Sequence, residues 1–358
     1  MSLSFHPWSG VDGLRSGFHA WPSMLADTGA DPLCNDPEWT LAYIASWLDD
    51  ADVFGWTVHE GDQPVALLAF RREPSRGLLA LPRATLATDG TFDSDYLDLW
   101  IRPGREAEVV SSLLDELAKT RSLGAMVLAG IPADSAVLSA LTAELEKRGL
   151  PRREREVACL SATLPEDFES YVASLGKRMR SKVRQALRRA EEAGATFTWC
   201  DDPLALAAHL QGLFDLHAKR WNEVGEPGSF ADENRRNFFA RLARYQFTRG
   251  ALRFARLEID DEPIGYQFGA LQGGRYYQLQ EGFDPAEERF RIGTALRAWV
   301  VRELIEEGVR DYDFMAGDTR HKRDWGAEPR PCRTVAFALP RLRARLAYGV
   351  RAWLDSRG

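Results

Sequence analysis

Residues 281–330 read EGFDPAEERFRIGTALRAWVVRELIEEGVRDYDFMAGDTRHKRDWGAEPR. The pattern predicts a strand, a charged loop that ends near a glycine, an amphipathic helix, a short buried strand and a second charged loop. The first N–H groups of a helix lack intrahelical partners and carry the positive end of the helix dipole, so they favour a phosphate. An ordinary strand-to-helix turn explains the same pattern. If the turn binds a ligand, a phosphate or pyrophosphate is expected at the backbone of Arg291, Ile292, Gly293, Thr294 and Ala295.

The predicted strand at residues 312–315 contains Asp313, and Gly317, Lys322 and Trp325 follow it. This spacing resembles the C-terminal signature of the GNAT-type acyltransferases of the BioF-like or CelD-like family, and it is similar to the Fem aminoacyltransferases. Two earlier stretches agree with the resemblance: LHAKRW at 216–221 and SLGKRMRSKVRQALRRAEEAG at 174–194. The resemblance covers about residues 160–335. One departure is His321, which precedes Lys322 where the family usually has Tyr.

The resemblance implies a GNAT-type N-acetyltransferase that moves an acyl group from acyl-CoA, its co-substrate, to an amine or hydroxyl of an acceptor. Such a transfer needs a base and a group that stabilises the tetrahedral oxyanion. The acidic candidates are Glu281, Asp284, Asp313 and Asp318, and the sequence does not rank them. Asp313 lies among aromatic residues, where burial raises the pKa of a carboxyl group. A structural hydrogen-bond acceptor fits Asp313 equally well.

Two further residues are catalytic candidates, and each has a plainer alternative. Lys322 is expected to pair with a substrate phosphate or with the charge of the tetrahedral intermediate, unless it is an exposed lysine in a charged loop. His217 lies on the apolar face of a predicted helix, where a satisfied core histidine is the alternative to proton transfer. Arg220 and Trp221 end the same helix. We expect them to pack over the site.

A basic segment precedes the predicted transfer domain. Seven lysines and arginines occupy the thirteen positions 177–189, on a pattern that predicts an amphipathic helix with a narrow apolar stripe. A solvated charged face is one interpretation. The others are an anion site, an RNA contact or attachment to anionic lipid at the membrane periphery. The position of the helix favours an anionic acceptor bound by Arg180, Lys182 and Arg184.

The two halves of the chain repeat one order of elements: hairpin, strand, loop, helix and strand. The first hairpin joins residues 56–59 to 64–70, and the second joins 253–259 to 263–271. With the resemblance, this repeat predicts an α/β (α+β) fold of two tandem GNAT-like domains, each a mixed, mostly antiparallel twisted sheet flanked by helices. The predicted bounds are 1–160 for the N-terminal GNAT-like domain, 161–345 for the C-terminal acyltransferase domain and 346–358 for a tail or helix end.

Composition excludes several classes of protein. Hydrophobic residues make up 45% and charged residues 28% of the chain, and the net charge of -7 argues against bulk affinity for DNA. The sequence has no apolar stretch of about 18 residues, so no transmembrane segment is predicted. Its first residues lack the pattern of a signal peptide, and we expect a cytoplasmic protein. The four cysteines and six histidines lack metal-binding spacing, so no metal is expected.

The acceptor is expected to be a small molecule or a cell-envelope precursor. One alternative function is a Fem-type aminoacyltransferase that takes its group from aminoacyl-tRNA. The lack of a long heptad run, which many Fem enzymes insert as a helical arm, weighs against it. The other alternative is a catalytically silent binding protein with a GNAT fold, which needs no competent base.

Overall fold

A computed structural model describes residues 2–73, 81–88, 94–223, 225–341, 344 and 346. The predicted tail at 346–358 therefore lies almost wholly outside the described residues. The strands are β1 (Leu3–Ser9), β2 (Val53–Glu60), β3 (Gln63–Glu73), β4 (Arg83–Leu86), β5 (Trp100–Ile101), β6 (Ala125–Pro132), β7 (Arg152–Thr163), β8 (Thr196–Trp199), β9 (Leu252–Ile259), β10 (Glu262–Gln272), β11 (Arg275–Phe283), β12 (Asp311–Ala316) and β13 (Glu328–Ala338).

The described helices lie between these strands along the chain, singly or in groups. They are α1 (Gly10–Ala20), α2 (Met24–Asp27), α3 (Pro37–Trp47), α4 (Glu106–Lys119), α5 (Ala136–Lys147), α6 (Phe168–Ser174), α7 (Lys177–Glu192), α8 (Leu206–Glu223), α9 (Glu233–Thr248), α10 (Ile292–Glu306) and α11 (Arg320–Asp324). None of the described helices is both long enough and apolar enough to cross a membrane.

The chain packs as two compact units. The first consists of Met1–Val157 and Pro331–Gly358, and the second of Ala158–Arg330. Strand β13 therefore contributes most of its residues to the first unit, although it follows the second unit in sequence. The predicted domain bounds at 160 and 345 stay a prediction.

The first unit contains one sheet in the order β1-β2-β3-β4-β6-β13, with β5 paired to β3. The predicted hairpin is β2 and β3, in which Glu60 faces Gln63 across the turn. Strand β5 is short, and the segment before it is not extended, because Tyr96 has a left-handed φ of 55°. The side-chain amide of Asn35 donates to the Tyr96 carbonyl at 2.8 Å and holds this segment as a loop.

The second unit contains a sheet in the order β7-β12-β11-β10-β9-β8. Its neighbouring strands are antiparallel apart from β11 and β12, which are parallel. The predicted second hairpin is β9 and β10, and the predicted basic helix is α7. Each unit thus has a mixed, mostly antiparallel sheet with helices, and the predicted α/β class is confirmed.

Strands β11 and β12 pair over only three residues each. Arg275, Tyr276 and Tyr277 of β11 face residues 311–313, and β11 then continues to Phe283 without further pairing to β12 in the described structure. At its end β12 turns away, because Met315 has a φ of 59° and Gly317 a φ of 102°. A wedge therefore opens between the last residues of β11 and those of β12.

Helices α7 and α10 pack against each other beside this sheet. Helix α7 buries a stripe at helical spacing, formed by Met179, Val183, Ala186 and Ala190. Its arginine and lysine side chains are thereby kept off the core. Helix α10 is buried on most of its surface and joins the same core, so a charged residue in its interior needs a polar partner.

Candidate active site

A cleft of about 490 Å³ lies where α10 begins, beside the end of β11. Five of its described lining residues are cations, and two others, Glu281 and His321, carry groups suited to proton transfer or hydrogen bonding. The lining is formed by Lys182, Arg189, Arg220, Glu281, Phe283, Arg291, Ile292, Gly293, Thr294, Arg297 and His321. The cleft thus combines a basic wall with a carboxylate and an imidazole.

The start of α10 forms one wall of the cleft. Arg291 precedes the helix in a left-handed conformation, and its carbonyl accepts the amides of Thr294 at 2.8 Å and Ala295 at 3.0 Å. Two of the five predicted anion-binding amides are therefore already bonded within the helix. The amides of Ile292 and Gly293 belong to the helical positions that lack intrahelical partners.

Gly293 lies directly against an aromatic ring. A Cβ atom at this position would stand 3.0 Å from Cε1 of Phe283, which is closer than a side chain accepts without movement. The guanidinium of Arg220 lies 4.5 Å from the centroid of the same ring. Gly293, Phe283 and Arg220 therefore form one stacked wall, and a larger residue at 293 has to displace it.

Arg297 is the centre of the hydrogen-bond network at the floor of the cleft. Its side chain is only 1% exposed, and its Nη2 donates to Oε2 of Glu281 in an ion pair. Its Nε donates to Oε1 of Gln278 at 3.3 Å. Its guanidinium carbon also lies 5.3 Å from the centroid of the Trp325 ring. The charge of this buried arginine is thus matched by Glu281 and by polar groups of β11.

The same guanidinium fixes the protonation of His321. Nη1 of Arg297 lies 2.5 Å from Nε2 of His321, and since an arginine only donates, Nε2 is the acceptor. The neutral ring then carries its proton on Nδ1. Partial desolvation of the ring, followed by the charge of Arg297, lowers the pKa of His321 to about 4. Nδ1 makes no hydrogen bond with the described residues, so His321 offers an N–H donor at the cleft wall.

Glu281 has one oxygen engaged and one available. Oε2 accepts from Arg297 and, at 3.1 Å, from Nε2 of Gln278. Oε1 makes no hydrogen bond with the part of the chain that the structure describes. Behind this pair, the Tyr312 hydroxyl donates to Oε1 of Gln278 at 2.9 Å and is itself bonded to Gln267. Glu281 is therefore oriented from behind and open towards the cleft.

The structure brings part of the predicted set together. Glu281, Lys182, Arg220 and residues 291–294 line the cleft. The described lining does not include the other predicted site residues, which are Asp313, Lys322, His217, Trp221, Arg180, Arg184 and Ala295. Their catalytic or binding roles stay predictions.

Two of these residues support the bend at the end of β12. The fully buried Asp313 accepts the amide of Met315 at 2.7 Å and lies 3.5 Å from Nη1 of Arg330. Nζ of Lys322 donates to the carbonyl of Met315 at 3.2 Å and to that of Ala316 at 2.6 Å. Both side chains thus hold the left-handed turn that follows the strand.

His217 lies in a separate aromatic cluster. Its Nε2 accepts from Nε1 of Trp221 at 3.0 Å, and its ring meets Phe230 edge-on at a centroid distance of 5.0 Å. Burial, followed by the charges of Arg235 and Arg220, lowers the pKa of His217 to about 4. The histidine is therefore neutral at physiological pH.

The predicted basic residues of α7 point in different directions. Arg180 donates to the carbonyls of Ala173 and Leu175, at 2.7 and 3.2 Å, and so caps the end of α6. Arg184 forms an exposed ion pair with Glu169 at 3.2 Å. Lys182 alone among the three predicted residues lines the cleft.

Sequence reasoning missed Arg297, Gln278 and the role of His321. A signal for Arg297 was present, because it is the one charged residue in the apolar run ALRAWVV at 295–301. A charged residue in such a run requires a buried partner. Gln278 and His321 carry no comparable signal, since their function depends on the position of Arg297.

Among the described residues, no group of three or more histidine, cysteine, aspartate or glutamate side chains is placed to hold a metal ion. The polar groups of the cleft are instead paired with one another or face its opening.

Comparisons with known proteins agree with this geometry. Residues 177–323 match the family described as "Acetyltransferase (GNAT) domain", a match that includes both α7 and the cleft. A comparison with curated protein sequences finds no match. The BioF-like or CelD-like subdivision stays a prediction.

Solved structures share the fold over nearly the whole chain. FemX is similar with a TM-score of 0.61 and 12% identity, over 94% of this chain and 97% of its own. L-PGS from Bacillus licheniformis gives a TM-score of 0.55 and 13% identity, over 95% and 97%. A tandem GNAT protein from the clavulanic acid biosynthesis pathway gives 0.51 and 14%, over 95% and 99%. Residues 177–323, within the second unit, thus match an acetyltransferase (GNAT) domain, and the chain as a whole shares the fold of FemX, L-PGS and the tandem GNAT protein.

Proposed function

We propose that this protein transfers an acyl group from acyl-CoA to an amine or hydroxyl of an acceptor, in the cleft at the start of α10. The observation that supports this most is the pairing of a free carboxylate oxygen and a free imidazole N–H on one arginine, beside a basic wall. The acceptor is proposed to be a small molecule or a cell-envelope precursor. The protein is proposed to act in the cytoplasm, with no DNA partner and no metal.

The basic wall supports an anionic donor. Lys182, Arg220 and Arg291 surround the start of α10, whose Ile292 and Gly293 amides point the positive end of the helix dipole at the same place. A pyrophosphate suits such a site, because charge-assisted hydrogen bonds from arginine and backbone N–H groups are among the strongest that proteins make. The thioester end of acyl-CoA would then extend along the cleft towards Arg297.

The two free groups fit the two requirements of acyl transfer. Oε1 of Glu281 takes the proton from the acceptor as its nitrogen or oxygen bonds to the thioester carbonyl carbon. Nδ1–H of His321 donates to the carbonyl oxygen as negative charge develops on it. The C–S bond then breaks, and the CoA sulfur leaves and takes the proton that Glu281 accepted. Arg297 touches both groups and positions them, but it transfers no proton.

The test is binding of acyl-CoA measured by isothermal titration calorimetry, with Gly293→Val as the diagnostic variant. A valine side chain displaces the Phe283 ring, which closes the start of α10, so we expect at least tenfold weaker binding by the variant. Gly29→Val is the matched control, because nothing lies within 4 Å of a Cβ atom at Gly29. If a folded Gly293→Val protein binds acyl-CoA as tightly as the parent, the donor does not bind at the start of α10.

A donor of another class is the second candidate. Exposed cations on α7, such as Lys177 and Arg178, extend the positive charge beyond the cleft, and the fold is similar to that of FemX. The resemblance to the Fem enzymes implies aminoacyl-tRNA as the donor. A ligand that binds only the folded state raises the melting temperature by mass action. If uncharged tRNA raises the melting temperature and acetyl-CoA and longer acyl-CoAs do not, the donor is aminoacyl-tRNA and not acyl-CoA.

A further inference from the structure

Three polar side chains form a continuous hydrogen-bond chain behind Glu281. They are Gln278 of β11, Tyr312 of β12 and Gln267 of β10, and the described lining of the cleft includes none of them. Gln267 and Tyr312 are 0% exposed, and Tyr312 belongs to the apolar core that α10 shares with the sheet. Polar groups in such a core cost free energy unless they bond to one another, and apolar groups of the same shape often replace them at no loss. A role beyond packing is therefore expected for the hydrogen-bond chain.

The charged groups at its end fix the direction of every bond in the hydrogen-bond chain. A carboxylate only accepts and a guanidinium only donates, and Gln278 bonds to both Glu281 and Arg297. Its Nε2 therefore donates to Glu281, and its Oε1 accepts from Arg297. Oε1 of Gln278 also accepts from the Tyr312 hydroxyl at 2.9 Å, and the hydroxyl oxygen accepts from Nε2 of Gln267 at 2.9 Å. All three donors thus point towards Glu281.

The hydroxyl of Tyr312 is the central link. Desolvation raises the pKa of Tyr312 far above its ordinary value, so the hydroxyl keeps its proton and remains a donor. Hydrogen bonds that follow one another in the same direction polarise and strengthen each other. The last of them ends on Oε2 of Glu281, the oxygen that Arg297 also holds, and Oε1 is left at the cleft.

We propose that Tyr312 and Gln267 are positioning residues for Glu281, and that they act through Gln278. The hydrogen-bond chain holds Oε2 of Glu281 against the floor of the cleft, so that Oε1 faces the acceptor in one orientation. The transfer of a proton to Oε1 rests on the proposed function. The coupling of Tyr312 to Glu281 rests only on the hydrogen bonds.

The test compares two buried tyrosines of the same core. Tyr312→Phe removes the central link, and we expect kcat to fall by about tenfold, with KM for the donor within about twofold of the parent, because a misplaced base slows the reaction more than it weakens binding. Tyr276→Phe is the matched control. The Tyr276 ring is also 0% exposed and lies 4.8 Å from that of Tyr312, but its hydroxyl makes no hydrogen bond with the described residues. We expect kcat of this control within about twofold of the parent.

A double-mutant cycle separates positioning from a general loss of structure. If Tyr312 acts only through Glu281, Tyr312→Phe should lower kcat no further in a protein that already contains Glu281→Gln. An equal loss in both backgrounds, or unchanged kcat in Tyr312→Phe, would overturn the positioning role. Gln267→Met keeps an unbranched side chain and removes the first donor, so it takes the place of Tyr312→Phe in the cycle if that variant fails to fold.

The same cycle measured by urea denaturation does not depend on turnover. The side chains of Tyr312 and Glu281 share no hydrogen bond, so their substitutions couple only if the hydrogen-bond chain joins them. We expect the decrease in the free energy of unfolding on Tyr312→Phe to be smaller when Glu281→Gln is present, whereas Tyr276→Phe should cause the same change in both backgrounds. Additive losses for Tyr312→Phe would overturn the coupling. A parent protein without turnover would count against the proposed function, and this measurement would still decide the role of the hydrogen-bond chain.

Discussion

Arg297 joins the two groups on which the proposed chemistry depends, and its own chemistry determines what each can do. An arginine side chain donates and does not accept, so the neighbouring His321 is held with Nε2 as acceptor and Nδ1 as donor. The same arginine holds Oε2 of Glu281 and leaves Oε1 open. At the residue scale, the site is therefore a carboxylate and an imidazole whose free atoms are selected by one buried cation.

Substitutions of His321 test whether its Nδ1–H group stabilises the oxyanion. His321→Phe keeps the ring and removes the Nδ1–H donor, so we expect kcat/KM to fall by about 10²-fold, the usual effect of losing one oxyanion donor. His321→Asn retains an N–H near the position of Nδ1 and should recover part of the loss. KM for the donor should change little in either variant. Equal activity of His321→Phe and the parent would exclude this role.

Lys322→Met separates a structural role of Lys322 from a catalytic one. Lys322 donates to the carbonyls of Met315 and Ala316, so its loss leaves these acceptors without an ammonium partner. We expect a decrease of about 1–3 kcal/mol in the free energy of unfolding, measured by urea denaturation. The predicted catalytic role of Lys322 requires a fall in kcat/KM beyond about threefold, that is, beyond about 0.7 kcal/mol of transition-state stabilisation.

At the scale of elements, α7 shows what a sequence pattern can and cannot predict. The apolar stripe predicted the helix well, because the burial of one helix face depends on local spacing. The predicted grouping of Arg180, Lys182 and Arg184 ignored that successive helical residues are about 100° apart. Residues 180 and 184 share one side of the helix, and 182 faces away from them.

Single substitutions on α7 separate the roles that the sequence grouped. Lys182→Ser should raise KM for the anionic substrate, because Lys182 lines the active-site cleft. Arg180→Ser should lower the melting temperature instead, since Arg180 caps two carbonyls at the end of α6. Arg184→Ser should change KM and the melting temperature little, because an exposed ion pair contributes about 0–1 kcal/mol to the free energy of unfolding. Equal rises of KM in all three variants would favour a diffuse basic surface over a defined cavity.

The wedge between β11 and β12 is an element-scale feature that the sequence did not predict. The strand pattern identified both strands, but strand periodicity contains no information on where pairing between them stops. The separation depends on left-handed conformations at Met315 and Gly317, and only the glycine is a recognisable signal. The Arg297 side chain lies between the two strands here, since it bonds to Glu281 of β11 and lies 5.8 Å from the centroid of the Phe314 ring of β12. Its network joins residues from β11, α10 and α11, which lie far apart in sequence.

For the whole molecule, the sequence predicted the class and the repeated order of elements, because hydrophobic periodicity and turn residues are local. It did not predict that β13 would pair with β6 and so join the first unit, since this pairing connects Ala338 to Ala125, more than 200 positions away. Long-range strand pairing depends on which edges remain available after the local elements form. The same limit applies to the cleft, whose residues come from four separate segments.

The last prediction concerns the response of the whole molecule to acid. Burial lowers the pKa of His217 to about 4 in the folded state, against an ordinary value near 6.5. Between these values the unfolded chain binds a proton that the folded chain does not, so the free energy of unfolding decreases as pH falls from 6.5 to 4. Above pH 6.5 this contribution is fully present. Its size is at most on the order of 3 kcal/mol, since each pKa unit corresponds to about 1.4 kcal/mol.

His217→Gln removes this titration and keeps a polar partner for Trp221, so the difference in unfolding free energy between parent and variant should shrink as pH falls through this window. Asp98 acts in the opposite direction, because burial raises its pKa to about 6, but it is present in both proteins and cancels in the difference. His19→Gln, at an exposed position, is the control. Urea denaturation at pH 7, 5.5 and 4.5 measures the difference. A difference that is constant with pH would show that His217 titrates alike in the folded and unfolded chain.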